Sequence, residues 1–170
     1  MSTKEHRLSA PKTVRFKVIT VSDTRDKDTD KSGSLMIELL EKNGHQVVDY
    51  VIVKDEMEQV KDEILKGCEA EDIDAVLTNG GTGIAMRDVT IETVQGLLDK
   101  EIVGFGEIFR MLSYQEDIGS AAILSRAIAG VVKNTAVFST PGSSGAVKLA
   151  MNKLILPEIG HVVREIRKDL

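Results

Sequence analysis

The chain has 170 residues, enough for one domain with a substantial buried core. Aromatic residues make up only 4% of it and Trp is absent, so the core must be aliphatic, and base-stacking platforms for single-stranded nucleic acid are disfavoured. The net charge of -5 contains no long block of one sign, which argues against nucleic-acid binding driven by phosphate neutralisation.

The N-terminal stretch MSTKEHRLSAPK has no apolar segment of signal-peptide length. No run approaches the ~18 apolar residues of a membrane span. The expectation is a cytoplasmic protein without membrane contact: a mobile polar arm over residues 1–12, then a single domain over 13–170. Val14 to Val21 alternates and then turns apolar, which predicts a strand. A long polar loop, SDTRDKDTDKSG, follows it. Ser32 is a candidate cap for a helix with Leu35, Met36, Leu39 and Leu40 on one face, ended by Gly44 in a left-handed position.

Gln46 to Val53 predicts a second strand, followed by Lys54, Asp55 and a helix with Met57, Val60, Ile64 and Leu65 inward. Cys68 lies on that helix. As the lone cysteine it can form no intrachain disulfide, which suits a reducing compartment, and its apolar neighbours mark it as a buried structural thiol. Ile73 to Thr78 predicts a third strand that runs into Gly80, Gly81 and Gly83. After Thr90 comes a helix with Ile91, Val94, Leu97 and Leu98 inward. Val103 to Val132 reads as two helices broken near Gly119. Thr135 to Ser139 predicts a short buried strand, and PGSSG leads into a long terminal helix that Pro157 should interrupt or kink.

Strands that alternate with helices imply parallel pairing and right-handed crossovers. The fold class is therefore α/β, a three-layer, mostly parallel sheet with helices on both faces. Ligands of such sheets bind beyond the carboxyl ends of the strands. That rule selects four loops: Ser22 to Asp30, Lys54–Asp55, Asn79 to Asp88 and Ser139 to Ser144.

Gly80, Gly81 and Gly83 let backbone approach a ligand closely, and successive N–H groups there can cradle a phosphate. A tight strand-to-helix turn without ligand is the plain alternative. The loop matches neither a Walker A motif nor GxGxxG. Pro141, Gly142, Ser143 and Ser144 repeat the theme at the last strand, although Ser143 could serve only as a helix cap. Asp55 and Asp88 each follow a strand end. If the strands are neighbours, the pair faces one cleft and suits Mg²⁺ beside phosphates; as the alternative, each caps the helix it precedes. Arg87 is a partner for Asp88 or for a phosphate. Asp23 and Thr24 are further candidates at the first strand end. His6, His45 and His161 show no metal-ligand spacing, and His45 and His161 read as structural.

The strings VSDTR, TNGGTG, RDVT, GFGEIFR, LSRAIAG and PGSSGAVKLAM, in this order, resemble the MogA/MoaB family of molybdenum cofactor biosynthesis proteins, and the MoaB branch most. The resemblance runs from about Val14 onward. It implies a molybdopterin-binding fold, a homotrimer, and Mg-ATP-dependent adenylylation of molybdopterin with release of pyrophosphate. The activated pterin would then pass to the molybdenum insertion protein. By the same resemblance, Asp55 and Asp88 match the family's two essential aspartates, which makes them the expected catalytic and metal-holding pair. Gly80, Gly81, Thr82 and Gly83 match its glycine loop, and Pro141, Gly142 and Ser143 its second loop. Ser22, Asp23 and Thr24 fall in the stretch after the first strand. Two departures are visible: Ile91 stands where many members have Pro, and Ile84 to Met86 is apolar. A non-catalytic, molybdopterin-binding carrier trimer is the second reading. A phosphoacceptor receiver domain is disfavoured, because the third strand ends in Thr78–Asn79 without an acceptor aspartate.

Overall fold

A computed structural model describes residues 2–170. Four strands run parallel: β1 (Arg15–Val21), β2 (Gln46–Val53), β3 (Ala75–Asn79) and β6 (Thr135–Thr140). Two more complete the sheet: β4 (Lys100–Glu101) and β5 (Ile128–Val132), paired antiparallel to each other, with β5 antiparallel to β6. The sheet order is β2-β1-β3-β6-β5-β4. The α/β reading with a mostly parallel sheet is the observed fold.

Alternating side chains divide the core in two, as the twofold repeat of a strand demands. Phe16, Val18, Leu77 and Phe138 point to one face, where they meet α2 (Lys31–Lys42), α5 (Val103–Glu116), α6 (Ser144–Ala150) and α7 (Leu156–Arg167). Ile19, Val21, Val76 and Val137 point to the other, under α3 (Met57–Glu69) and α4 (Thr90–Leu97). Lys17 is buried on the α3 side, where its ammonium pairs with Glu63 at 2.6 Å and Asp49 at 3.3 Å. A buried cation needs such partners. Cys68 is buried in the same layer, and burial pushes its thiol up to about 12. Among the described residues, no helix is long and apolar enough to cross a membrane.

Several sequence expectations are corrected. Within the stretch expected as a mobile arm, α1 (Thr3–Leu8) is a helix, closed at its start by a capping box between Ser2 and Glu5. Met1, the first residue of that arm, lies outside the described residues. The cap of α2 is Asp30, whose carboxylate accepts the Gly33 N–H at 3.0 Å; Ser32 turns instead to Asn79 and Arg25. The second helix expected before Val132 is a 3-10 turn (Gly119–Leu124) followed by strand β5. AIAGVV is apolar throughout, so its periodicity could not separate strand from helix. Lys133 and Asn134, with φ of 48° and 62°, turn β5 directly into β6, as a tight hairpin requires. In the terminal helix, a wide π turn (Met151–Ile155) precedes α7, and Pro157 sits in the first turn of α7, directly after it.

The histidines also need one correction. His45 is structural: its Nδ1 accepts the Val14 N–H at 3.1 Å and its ring meets Phe16 edge-on. His6, His161 and Glu165, however, bring ligand-type atoms within 4.8 Å of one another, across 155 or more residues in the first two cases that hid the cluster. The Arg164 guanidinium already bonds both His6 Nδ1 (2.9 Å) and Glu165 (2.8 Å), and Lys168 holds the other Glu165 oxygen. Cations of the chain thus fill this clasp, which ties α1 to α7.

Candidate active site

The parallel register sets the site. Val21 lies opposite Val53, Thr20 opposite Asn79, and Asn79 opposite Thr140, so the carboxyl ends of β2, β1, β3 and β6 are level. Whatever follows each strand therefore emerges along one rim. Along it lies a cavity of about 560 Å³ lined by Ser22, Asp55, Gly80 to Gly83, Asp88 and Pro141 to Ser143. Two expected residues stand apart from it. Asp23 is held by the Arg87 guanidinium at 2.7 and 2.9 Å and accepts the Asp55 N–H at 3.1 Å; Thr24 packs against Ser22. Arg87 thus pairs with Asp23 and Glu56 rather than with Asp88.

The glycine loop is held in a form that side chains would not permit. Gly80 and Gly81 take φ of 93° and 67°, the left-handed region. A Cβ on Gly80 would lie 2.3 Å from the Val21 carbonyl oxygen. One on Gly81 would meet Thr90 Oγ1 and Asp55 Oδ1, and one on Gly83 would meet Asp88 Oδ2 at 2.5 Å. Both carboxylates therefore lean on this loop. Thr90, the first residue of α4, pins the loop by giving its hydroxyl to the Gly80 carbonyl and its N–H to that of Gly81. The N–H groups of Gly81, Thr82, Gly83 and Ile84 meet no acceptor among the described residues. Successive amides left without an acceptor are a backbone arrangement that can cradle an anion.

Neither aspartate caps a helix. The first position before α3 is Glu56 and before α4 is Val89, and neither end has a side-chain cap. Asp88 instead accepts the Ala85 N–H at 3.0 Å, closing the loop on itself. Burial, then the charge of Asp23 and that of Asp88, holds the Asp55 carboxyl above the ordinary carboxylate range. The capping alternative does hold for Ser143, whose Oγ accepts the Ala146 N–H at the start of α6.

Sequence reasoning missed two arginines on the cavity. Arg25 donates to the Gly142 carbonyl (3.0 Å) and to Ser32 (2.6 Å), and lies 3.6 Å from buried Asp30. Asp30 in turn accepts from Thr20 and Tyr50, so Arg25 stands on a fully bonded base. Arg126 donates to the carbonyls of Thr82 and Gly83 and pairs with Glu92. Both arginines lie in the strings VSDTR and LSRAIAG; reading β5 as a strand would have placed Arg126 near the sheet, beside the glycine loop. Ser113, Asp117, Ile118, Leu124 and Ser125 form the far wall, from the segment whose second half was misread.

Comparison with known proteins agrees with this fold. Residues 17–161 match a sequence family described as "Probable molybdopterin binding domain". Molybdenum cofactor biosynthesis protein B of Bacillus subtilis is 69% identical over 99% of both chains, and that of Staphylococcus aureus (strain COL) is 57% identical over 92% of this chain and 94% of its own. The crystal structure of a molybdenum cofactor biosynthesis protein B, 63% identical, superposes with a TM-score of 0.91 over 94% of this chain and 99% of its own. The tungsten cofactor synthesizing protein MoaB from Pyrococcus furiosus, 43% identical, gives 0.83 over 93% and 99%. The chain belongs to this molybdopterin-binding family of molybdenum cofactor biosynthesis proteins.

Proposed function

We propose that the chain transfers the adenylyl group of Mg-ATP to the terminal phosphate of molybdopterin. The observation that carries the reading is the pairing of Asp55 and Asp88 over a glycine loop with four unpartnered amides, on one cavity. Phosphoryl-type transfer asks for positioning and charge neutralisation more than for covalent help from the protein. The loop amides and Arg25 supply donors for phosphate oxygens, while the second loop bounds the cavity beside them.

The donor set suits a hard cation: the carboxylates of Asp55 and Asp88, with that of Asp117 on the far wall, and no His or Cys among the described lining residues, with Asp55 crowded by like charge. Asp55 and Asp88 would hold Mg²⁺, which when bound neutralises charge on the phosphates. In the reaction, a terminal phosphate oxygen of molybdopterin attacks the α-phosphorus of ATP. The bond from that phosphorus to the bridging oxygen breaks, and pyrophosphate leaves with the electron pair. The chain's own part is to hold the two phosphates in line. The product, adenylyl-molybdopterin, would pass to the protein that inserts molybdenum.

A homotrimer is part of the same reading. Exposed Val103, Ile108, Met111 and Tyr114 leave an apolar stripe on α5 that a second copy would cover. A monomeric mass in solution at micromolar concentration would remove the trimer. For the chemistry, the test is pyrophosphate release from ATP that needs both Mg²⁺ and molybdopterin. Asp88→Asn should abolish it without unfolding the chain. Molybdopterin binding without any release, in the wild type, would assign the carrier role instead.

A further inference from the structure

The mechanism leaves Arg126 with no task, although it lines the cavity and its side chain is part-buried against the glycine loop. Its Nε donates to the Thr82 carbonyl at 3.0 Å and its Nη2 to the Gly83 carbonyl at 2.6 Å. Glu92 on α4 grips the same guanidinium from the other side. Three acceptors thus take the planar fork of one side chain.

A trans peptide is rigid, and its N–H points opposite to its carbonyl. No cis peptide occurs among the described residues. A donor fixed on the Thr82 carbonyl therefore fixes the direction of the Gly83 N–H. A donor on the Gly83 carbonyl does the same for the Ile84 N–H. These two amides point away from Arg126 and meet no acceptor among the described residues. The other two clamps on the loop act on neighbouring peptides: Thr90 on the two before, and the Asp88 carboxylate on the Ile84–Ala85 peptide that follows, so Arg126 is the side chain that bonds these two planes directly.

We infer that Arg126 is a positioning residue: it orients the Gly83 and Ile84 amides for a phosphate group of the ligand, acting through the loop rather than by touching the ligand. The inference rests on the phosphate-binding role proposed above. It differs from a simple charge effect. Lysine keeps the charge but offers a point donor, not a planar fork that can serve two carbonyls and a carboxylate.

The test uses the full chain with inorganic pyrophosphate and with Mg-ATP, by calorimetry and by amide NMR on ¹⁵N-labelled protein. In the wild type, the Gly81, Gly83 and Ile84 amide protons should move on adding pyrophosphate. In Arg126→Lys, the Gly83 and Ile84 responses should vanish while that of Gly81 stays, and affinity should fall about tenfold to hundredfold, the loss of one or two hydrogen bonds to a charged group. Glu92→Ala removes the carboxylate that holds Arg126 and leaves the loop untouched; a fall of about threefold or more is expected, and this variant decides the matter should Arg126→Lys fail to fold. Wild-type affinity and wild-type amide responses in the variants overturn the inference alone. A wild type that binds neither pyrophosphate nor Mg-ATP overturns the phosphate-binding role, and the inference with it.

Discussion

Replacing Gly83 with Ala separates the fold from the chemistry. A Cβ there would stand 2.5 Å from Asp88 Oδ2, against 3.4 Å or more for ordinary contact. The carboxylate must retreat by roughly 1 Å, as close overlap in a packed site demands. It would give up the Ala85 N–H bond, worth about 0.5–1.5 kcal/mol at a half-exposed position. Gly83 has no left-handed backbone to lose. For a domain of this size each kcal/mol moves the melting temperature by ~2–4 °C, so a fall of about 1–6 °C is expected. Catalysis is far more sensitive, since a 1 Å misplacement can lower a rate by about 10²-fold. Pyrophosphate release should therefore drop roughly a hundredfold while melting changes little, with the Mg²⁺ dependence moved to higher concentration. Unchanged release and an unchanged Mg²⁺ dependence would refute the claim that Asp88 holds the ion from where it stands.

Gly80→Ala should do the opposite: its left-handed backbone and the Val21 carbonyl 2.3 Å from the new Cβ predict a loss of about 2–5 kcal/mol, read as a lower denaturant midpoint. For Asp55, burial and its acidic neighbours raise the folded pKa above the unfolded one. That favours the fold below the ordinary carboxylate value, and the advantage is lost as pH rises through the raised one. Asp55→Asn should thus melt higher than wild type at pH 7, with the gap closing toward acid pH; an Asn variant less stable at pH 7 contradicts the assignment. Cys68, buried and with its thiol pushed up to about 12, should stay unreactive toward a thiol-specific reagent at pH 8 until the chain unfolds.

The parts of this fold that local chemistry dictates were readable in the sequence. β1, β3 and β6 are short apolar runs bounded by polar loops, and Gly44, with φ of 80°, ends α2 as its position suggested. The four strand-end loops follow from alternation alone. What escaped depends on distant partners. β5 is a strand because β6 and β4 flank it; its Gly130 leaves room for the Lys100 carbonyl, 2.3 Å from where a Cβ would be. Asp23 looked like a site acid, yet Arg87, 64 residues away in the chain, occupies its carboxylate. Arg25 looked like part of a solvated loop until the Gly142 carbonyl, 117 residues on, gave it a partner.

These long-range pairs divide the acids at the rim by task. Asp23 is neutralised by Arg87, and Asp30 is buried under Thr20, Tyr50 and Arg25. Asp55 and Asp88 form no ion pair with a basic side chain among the described residues, and Asp55 feels both Asp23 and Asp88 as like charges. A chain that pairs Asp23 and Asp30 with arginines but leaves Asp55 and Asp88 over open amides sets unmet acceptors and donors side by side: anionic oxygens that want a cation and N–H groups that want an anion. Water can satisfy either set weakly. A divalent ion bound to a polyphosphate would satisfy both at once, as neither component alone would, so the proposed reading ties the choice of ligand to the same four peptide groups and two carboxylates.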